Sequence, residues 1–139
     1  MIVVGFTEGQ TASLTRTVTA EDVERFAEAS GDNNPVHLDE AFAAKSRFGR
    51  RIAHGMLSAG YISALLGTKF PGQGSIYLSQ TLKFSRPVFI GDTIEVRARV
   101  TAYRADKKIL TLATEAVNQN GETVTSGEAV VLVSDVAGA

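Results

Sequence analysis

The chain has 139 residues, a formal net charge of −1 and no cysteine. Near-zero charge provides no electrostatic attraction to nucleic acid or to an anionic membrane surface, so neither is expected as a partner. The lack of cysteine excludes disulfides, thiolate nucleophiles and cysteine-ligated zinc, and with only two histidines no metal site is expected. The length suits one domain over residues 1–139, and the first residues lack the features of a signal peptide. We therefore expect a soluble, cytoplasmic protein.

The first third of the chain predicts a strand followed by a capped helix. Residues 11–18 alternate apolar and polar side chains, as a half-buried strand does. Thr19, with an acid three residues later, has the pattern of a helix N-terminus, and apolar residues then recur at helical spacing. Gly31 stands where a glycine commonly ends a helix. A shorter helix is expected over residues 39–45.

A third helix and four strands make up the rest of the prediction. Residues 54–66 are apolar on almost every side, the pattern of a helix that is buried all round. The second half alternates like strands over residues 76–84, 93–103, 108–118 and 123–133. An antiparallel sheet curved around a long buried central helix is the α+β hot-dog fold. One sheet leaves part of such a helix uncovered, so a homodimer is expected.

The residues that could carry chemistry lie in two short segments. These are GDNNPVH at residues 31–37 and HGM at residues 54–56. Asp32 and His37 are five residues apart, and an acid with an imidazole can move a proton to or from water near neutral pH. The Asn34-Pro bond keeps the backbone from continuing the preceding helix. Each feature alone is common turn chemistry, so the interpretation depends on their combination.

The two segments, with PVFIGD at residues 87–92, resemble the MaoC-like dehydratases and are most similar to the bacterial (R)-specific enoyl-CoA hydratases. The resemblance extends over about residues 7–133 and agrees with the hot-dog fold. It implies reversible syn addition of water to a trans-2-enoyl-CoA, which gives an (R)-3-hydroxyacyl-CoA. It implies no cofactor, because coenzyme A is part of the substrate.

The resemblance also implies roles for individual residues. Asp32 and His37 correspond to a catalytic pair that holds one water and exchanges protons with it, in an order that remains open. Gly55 would polarise the thioester oxygen through its backbone N–H at a helix N-terminus. Ser63 would orient Asp32 by a hydrogen bond, and Asn34 would support the loop.

The acyl chain is expected to enter between the buried helix and the sheet. Leu66, near the helix end, and Val130, on the last strand, are the candidates for its lining. His54 is interpreted as a buried, hydrogen-bonded structural residue, because the neighbouring Gly55 N–H already supplies a donor to the substrate. None of the basic residues is assigned to the phosphates of coenzyme A.

Other functions remain open at this point. A (3R)-hydroxyacyl-[acyl carrier protein] dehydratase would use the same residues on a different carrier. A hot-dog thioesterase usually carries its acid on the buried helix, but residues 55–66 contain no Asp or Glu. A non-catalytic acyl-CoA-binding module would not need both Asp32 and His37, and would usually carry a DNA-binding domain for which this length has no room.

Overall fold

The computed structural model describes residues 5–134, which form one antiparallel sheet with helices packed against it. The strands are β1 Thr11–Thr17, β2 Ile76–Gln80, β3 Lys83–Phe84, β4 Thr93–Arg104, β5 Ile109–Val117 and β6 Thr123–Leu132. Their order across the sheet is β1-β4-β5-β6-β2, and β3 also pairs with β6. In the described sheet, β1 therefore forms one edge, and β2 and β3 form the other.

The helices precede most of the sheet in the chain. They are α1 Ala20–Ser30, α2 Pro35–Leu38, α3 Glu40–Ala44 and α4 Gly55–Ala64, and α4 continues into a π-helical turn, Leu65–Lys69. The predicted caps of α1 are confirmed: Thr19 and Asp22 form a reciprocal capping box, and Gly31 takes a left-handed φ of 81°. No helix in the described range is long and apolar enough to cross a membrane.

The core lies between α4 and one face of the sheet. Ile62, Leu65 and Leu66 from the helical segment are at most 2% exposed and belong to one cluster with buried strand residues. Along β4, buried residues such as Val96 and Val100 alternate with more exposed ones, because successive strand residues face opposite sides. Burial of each large aliphatic side chain contributes about 1.5–3 kcal/mol. The predicted hot-dog fold is confirmed.

Two predicted elements differ from the structure. The central helix is not buried all round, because the sheet covers only one of its sides: Met56 is 53% exposed, and Gly60 and Ser63 are also exposed. The single strand predicted over residues 76–84 is divided into β2 and β3, and a register shift also interrupts β2.

The connection between β2 and β3 crosses closely over β6 at Gly127. A Cβ atom at Gly127 would lie 1.7 Å from the backbone oxygen of Thr81, so only glycine fits there. The N–H of Thr81 donates to the Glu128 oxygen at 2.9 Å, which fixes the crossing. The crossing is followed directly by β3, whose Phe84 reaches the start of α4 at Gly55.

Candidate active site

A groove of about 490 Å³ brings the two predicted segments together with the connection from β3 to β4. Its lining includes Asp32, His37, His54, Gly55, Phe84 and Arg86. Asp32 lies in the turn between α1 and α2, His37 lies within α2, and Gly55 begins α4. The structure therefore places the predicted acid, imidazole and backbone donor in one cavity.

The imidazole of His37 leaves one nitrogen available to accept a proton. Its Nδ1 lies 2.7 Å from the backbone oxygen of Ile52, which can only accept, so Nδ1 carries the hydrogen and Nε2 of the neutral ring has a free lone pair. Burial lowers the pKa of His37, and the nearby His54 lowers it further; the Ile52 hydrogen bond and Asp32 act in the opposite direction. The ring is thus suited to begin a reaction as a base.

His54 contacts both members of the candidate pair. Its Nε2–H donates to the backbone oxygen of Asp32 at 2.9 Å. The His54 ring stacks on the His37 ring, with centroids 3.9 Å apart. The centroid of the Phe26 ring lies 4.7 Å from that of His54. His54 is only 2% exposed, and its Nδ1 has no hydrogen-bond partner in the described range. The side chain therefore fixes the relative position of Asp32 and His37.

The segment between Asp32 and His37 is held by short-range hydrogen bonds. The Oδ1 atom of Asp32 accepts from the Asn34 N–H at 3.4 Å, and Oδ1 of Asn34 accepts from the Val36 N–H at 3.2 Å. Asn34 is thereby the N-cap of α2, with Pro35 at the first helical position. The segment therefore contains a short helical turn, which Asn34 supports.

The N-terminus of α4 provides a backbone donor at the groove. The Gly55 N–H has no acceptor within residues 5–134, as expected for the first residue of a helix. A Cβ atom at Gly55 would lie 2.9 Å from two ring atoms of Phe84. Glycine therefore allows the Phe84 ring to lie close to the first turn of α4, beside a donor that also has the favourable end of the helix dipole.

Arg51, which the sequence did not indicate as a site residue, binds the backbone of a residue that lines the groove. Its Nε–H donates to the backbone oxygen of His37 at 2.7 Å, and its Nη1 lies 3.7 Å from a carboxylate oxygen of Glu40. The side chain is only 12% exposed. No local pattern distinguishes Arg51 from its basic neighbours, because its partners are 11 and 14 residues away.

A family model for the MaoC-like domain matches residues 6–123. The chain belongs to the MaoC-like family. The chain is 49% identical over 126 residues to the (R)-specific enoyl-CoA hydratase of Rhodospirillum rubrum, a match that covers 91% of this chain and 87% of that protein. The family resemblance found in the sequence is confirmed.

Two further proteins are similar to this chain over most of its length. The solved structure of the (R)-hydratase from A. caviae involved in PHA biosynthesis has a TM-score of 0.91 and 48% identity, over 95% of this chain and 100% of that one. The mitochondrial 3-hydroxyacyl-[acyl-carrier-protein] dehydratase of Arabidopsis thaliana is 35% identical over 131 residues, or 92% of this chain and 78% of that protein.

The family resemblance implies a hydrogen bond between Ser63 and Asp32. The structure does not bring these two residues together. Ser63 is exposed and lines a different groove, of about 460 Å³, between α4 and β2. Within residues 5–134 it makes no hydrogen bond to Asp32. Asp32 is held instead through its backbone oxygen by His54 and through its carboxyl group by the Asn34 N–H.

Leu66 and Val130 do not form one lining within this MaoC-like chain. Leu66 is 2% exposed and belongs to the core. In β6 the core positions are Ala129 and Val131, which pair with Leu112 and Leu110. Val130 lies between them and faces the opposite side of the sheet. An error of one residue in register moves a strand side chain to the other face, which explains the difference.

Among the described residues, Asp32, His37 and His54 form a group that could hold a metal ion. One ligand atom from each of Asp32, His37 and His54 lies within 4.8 Å of the others. Two imidazoles and a carboxylate are a common ligand set for first-row metals. The expectation that the site uses no metal stays a prediction.

Proposed function

We propose that the protein is an (R)-specific enoyl-CoA hydratase, which adds water reversibly to a trans-2-enoyl-CoA. The observation that carries the proposal is the single groove that contains Asp32, His37 and the free N–H of Gly55. One side-chain ligand atom of Asp32 lies within 4.8 Å of one of His37. One water can bridge two atoms at this distance, since two hydrogen bonds span about 5 Å. The similar hydratase of Rhodospirillum rubrum supports the same activity.

The reaction then follows from the positions of these groups. Asp32 accepts one hydrogen bond from the water, and Nε2 of neutral His37 accepts the proton as the water oxygen bonds to C3. The electron pair of the double bond moves toward the thioester, and the Gly55 N–H stabilises the developing oxyanion. His37 returns the proton to C2 on the same face. One hydroxyl and one hydrogen are added, and both catalytic groups regain their initial states.

A coupled assay tests the activity and its stereochemistry together. Hydration of crotonyl-CoA removes the conjugated thioester absorbance, and the product is offered to (R)- and (S)-specific 3-hydroxyacyl-CoA dehydrogenases. We expect oxidation mainly by the (R)-specific enzyme. No loss of absorbance would refute the hydratase function, whereas oxidation mainly by the (S)-specific enzyme would refute only the assigned face.

A 3-hydroxyacyl-[acyl carrier protein] dehydratase is the second candidate, since the Arabidopsis thaliana protein of that name is 35% identical to this chain. The same groups would catalyse the reverse reaction on a protein-bound thioester. A higher kcat/KM on a crotonyl acyl carrier protein than on crotonyl-CoA would favour this candidate. We expect no resident cofactor in either case and a cytoplasmic location, and both stay predictions.

The proposed enzyme is a homodimer that pairs along β2. Four of the five residues of this edge strand are exposed, including Ile76 at 55% and Leu78 at 50%. The adjoining groove between α4 and β2, which Met56 also lines, has no charged residue in its lining. An unpaired strand edge next to an uncharged groove is suited to a second copy of the chain.

A further inference from the structure

Two arginines line the same groove as the catalytic residues. Arg47 lies in the segment between α3 and α4, and Arg86 lies between β3 and β4. Asp32 is the only carboxylate in the lining that the structure describes. Away from the catalytic aspartate, the groove therefore presents two positive charges from two different parts of the chain.

Both guanidinium groups have N–H donors that could bind a further anion. That of Arg47 lies 5.6 Å from the centre of the Phe48 ring and has no ion pair within residues 5–134. That of Arg86 lies 3.0 Å from a carboxylate oxygen of Glu122, and its side chain is 56% exposed. Because a guanidinium has five N–H donors, one carboxylate leaves several of them free for another anion.

We propose that Arg47 and Arg86 bind the phosphate groups of coenzyme A, an assignment that rests on the proposed function. A thioester carbonyl at Gly55 sends its acyl chain in one direction and its pantetheine arm in the other. The arm must leave through the same groove, and it ends in phosphates. Planar guanidinium groups bind phosphate oxygens through paired hydrogen bonds, so they are matched to this part of the substrate.

A comparison of two substrates distinguishes the loss of phosphate binding in an arginine variant from a general structural effect of the substitution. Crotonyl-CoA carries the phosphates, whereas the crotonyl thioester of N-acetylcysteamine lacks them and keeps the reacting part. We expect Arg47→Ala and Arg86→Ala each to raise KM for crotonyl-CoA about tenfold, the value of one charge-assisted contact, with kcat within about twofold. KM for the short thioester should not change. Arg25→Ala, an exposed and ion-paired residue on α1, is the control that should match the wild type on both.

Equal increases in KM for the two thioesters, or no increase for crotonyl-CoA, would overturn the assignment. Calorimetric titration with free coenzyme A tests the same residues without the reaction. Binding that weakens about tenfold in each variant supports the phosphate site even if the wild type hydrates nothing, which would refute the proposed function alone. Identical binding by the wild type and both variants, or no binding by any of them, would overturn the site.

A crotonyl acyl carrier protein distinguishes the two sources of a pantetheine phosphate. We expect the wild type to have a lower KM for crotonyl-CoA, and Arg47→Ala to reduce that difference. A lower KM for the carrier protein, lost in the same variant, would overturn the assignment to coenzyme A.

Discussion

The two histidines have different hydrogen-bonding states despite their stacked rings. His37 donates from Nδ1 to a backbone oxygen and keeps Nε2 for the groove, whereas His54 donates from Nε2 and has its other nitrogen buried. Exchange of protons with a bound water is thus open to His37 and Asp32, and His54 keeps them in position. The difference arises from which backbone oxygen each ring meets.

Removal of either proton-transfer group should stop the reaction without unfolding the chain. We expect Asp32→Asn and His37→Gln each to reduce kcat/KM on crotonyl-CoA by about 10²-fold or more, because both changes keep the shape and remove the acid–base function. Asp106→Asn, in the exposed turn after β4, serves as a control for the chemical change. A folded variant at Asp32 or His37 that keeps most of the activity would remove that residue from the mechanism.

The lowered pKa of His37 should determine the acid limit of activity, which is the pH at which kcat/KM falls to half of its maximum on the acid side. Because burial favours the neutral ring, kcat/KM should decline with a midpoint below the ordinary histidine value of about 6.5. His37 binds a proton more readily in the unfolded chain than in the folded one. The free energy of unfolding should therefore also fall as the pH drops below about 6.5. The measurements are a pH–rate profile and denaturant titrations at several pH values.

A variant of the neighbouring ring tests this assignment. His54 is one of the groups that lower the pKa of His37, so His54→Gln should move the acid limit to higher pH. An unchanged limit in a folded His54→Gln protein would mean that another group controls the profile.

Sequence reasoning identified the residues whose relationships are local and missed those that depend on distant pairing. Asp32, Asn34 and His37 lie within six positions of the chain, so a short motif is enough to indicate their contact. Val130 depends on the register of β6 against β5, and Ser63 on how far the sheet extends around α4. Neither quantity is contained in a short segment.

At the scale of elements, the first turn of α4 combines a donor with a close ring contact. We expect Gly55→Ala to reduce kcat on crotonyl-CoA by about tenfold or more, because the added methyl group displaces the Phe84 ring, which lines the groove beside the N–H. The melting temperature should change little, since Phe84 is 50% exposed and its ring can move. Gly67→Ala, where a Cβ would meet nothing within 4 Å, is the matched control. Full activity in Gly55→Ala would contradict this prediction, because it would mean that a methyl group at this position does not disturb the groove.

The predicted elements agree with the structure where their signals are local. The capping box at Thr19 and the glycine at the end of α1 are each encoded within a few residues. The division of residues 76–84 into β2 and β3 was missed. It coincides with the crossing of Thr81 over Gly127, which is 46 positions away.

At the scale of the whole molecule, the uncovered side of α4 and the open edge of β2 predict a dimer. We expect a homodimer at micromolar concentration in analytical ultracentrifugation, and a monomer for Leu78→Asp, because a buried unpaired charge would oppose association. Phe42→Asp is the matched control, since Phe42 is equally exposed at 51% but lies on α3. A wild-type monomer, or a dimer that survives Leu78→Asp and dissociates in Phe42→Asp, would contradict this interface.

Because both ends of α1 are capped, the length of this helix determines the position of Asp32, the proposed catalytic acid. The helix has 11 residues between a side-chain cap at Thr19 and a left-handed glycine at Gly31, and Asp32 follows immediately. One inserted residue would rotate the exit of the chain by about 100° and advance it by about 1.5 Å. Substitutions on the solvent side of α1 should therefore be far better tolerated than any insertion or deletion within it. A helix that contributes no residue to the reaction thus fixes the direction from which Asp32 enters the groove.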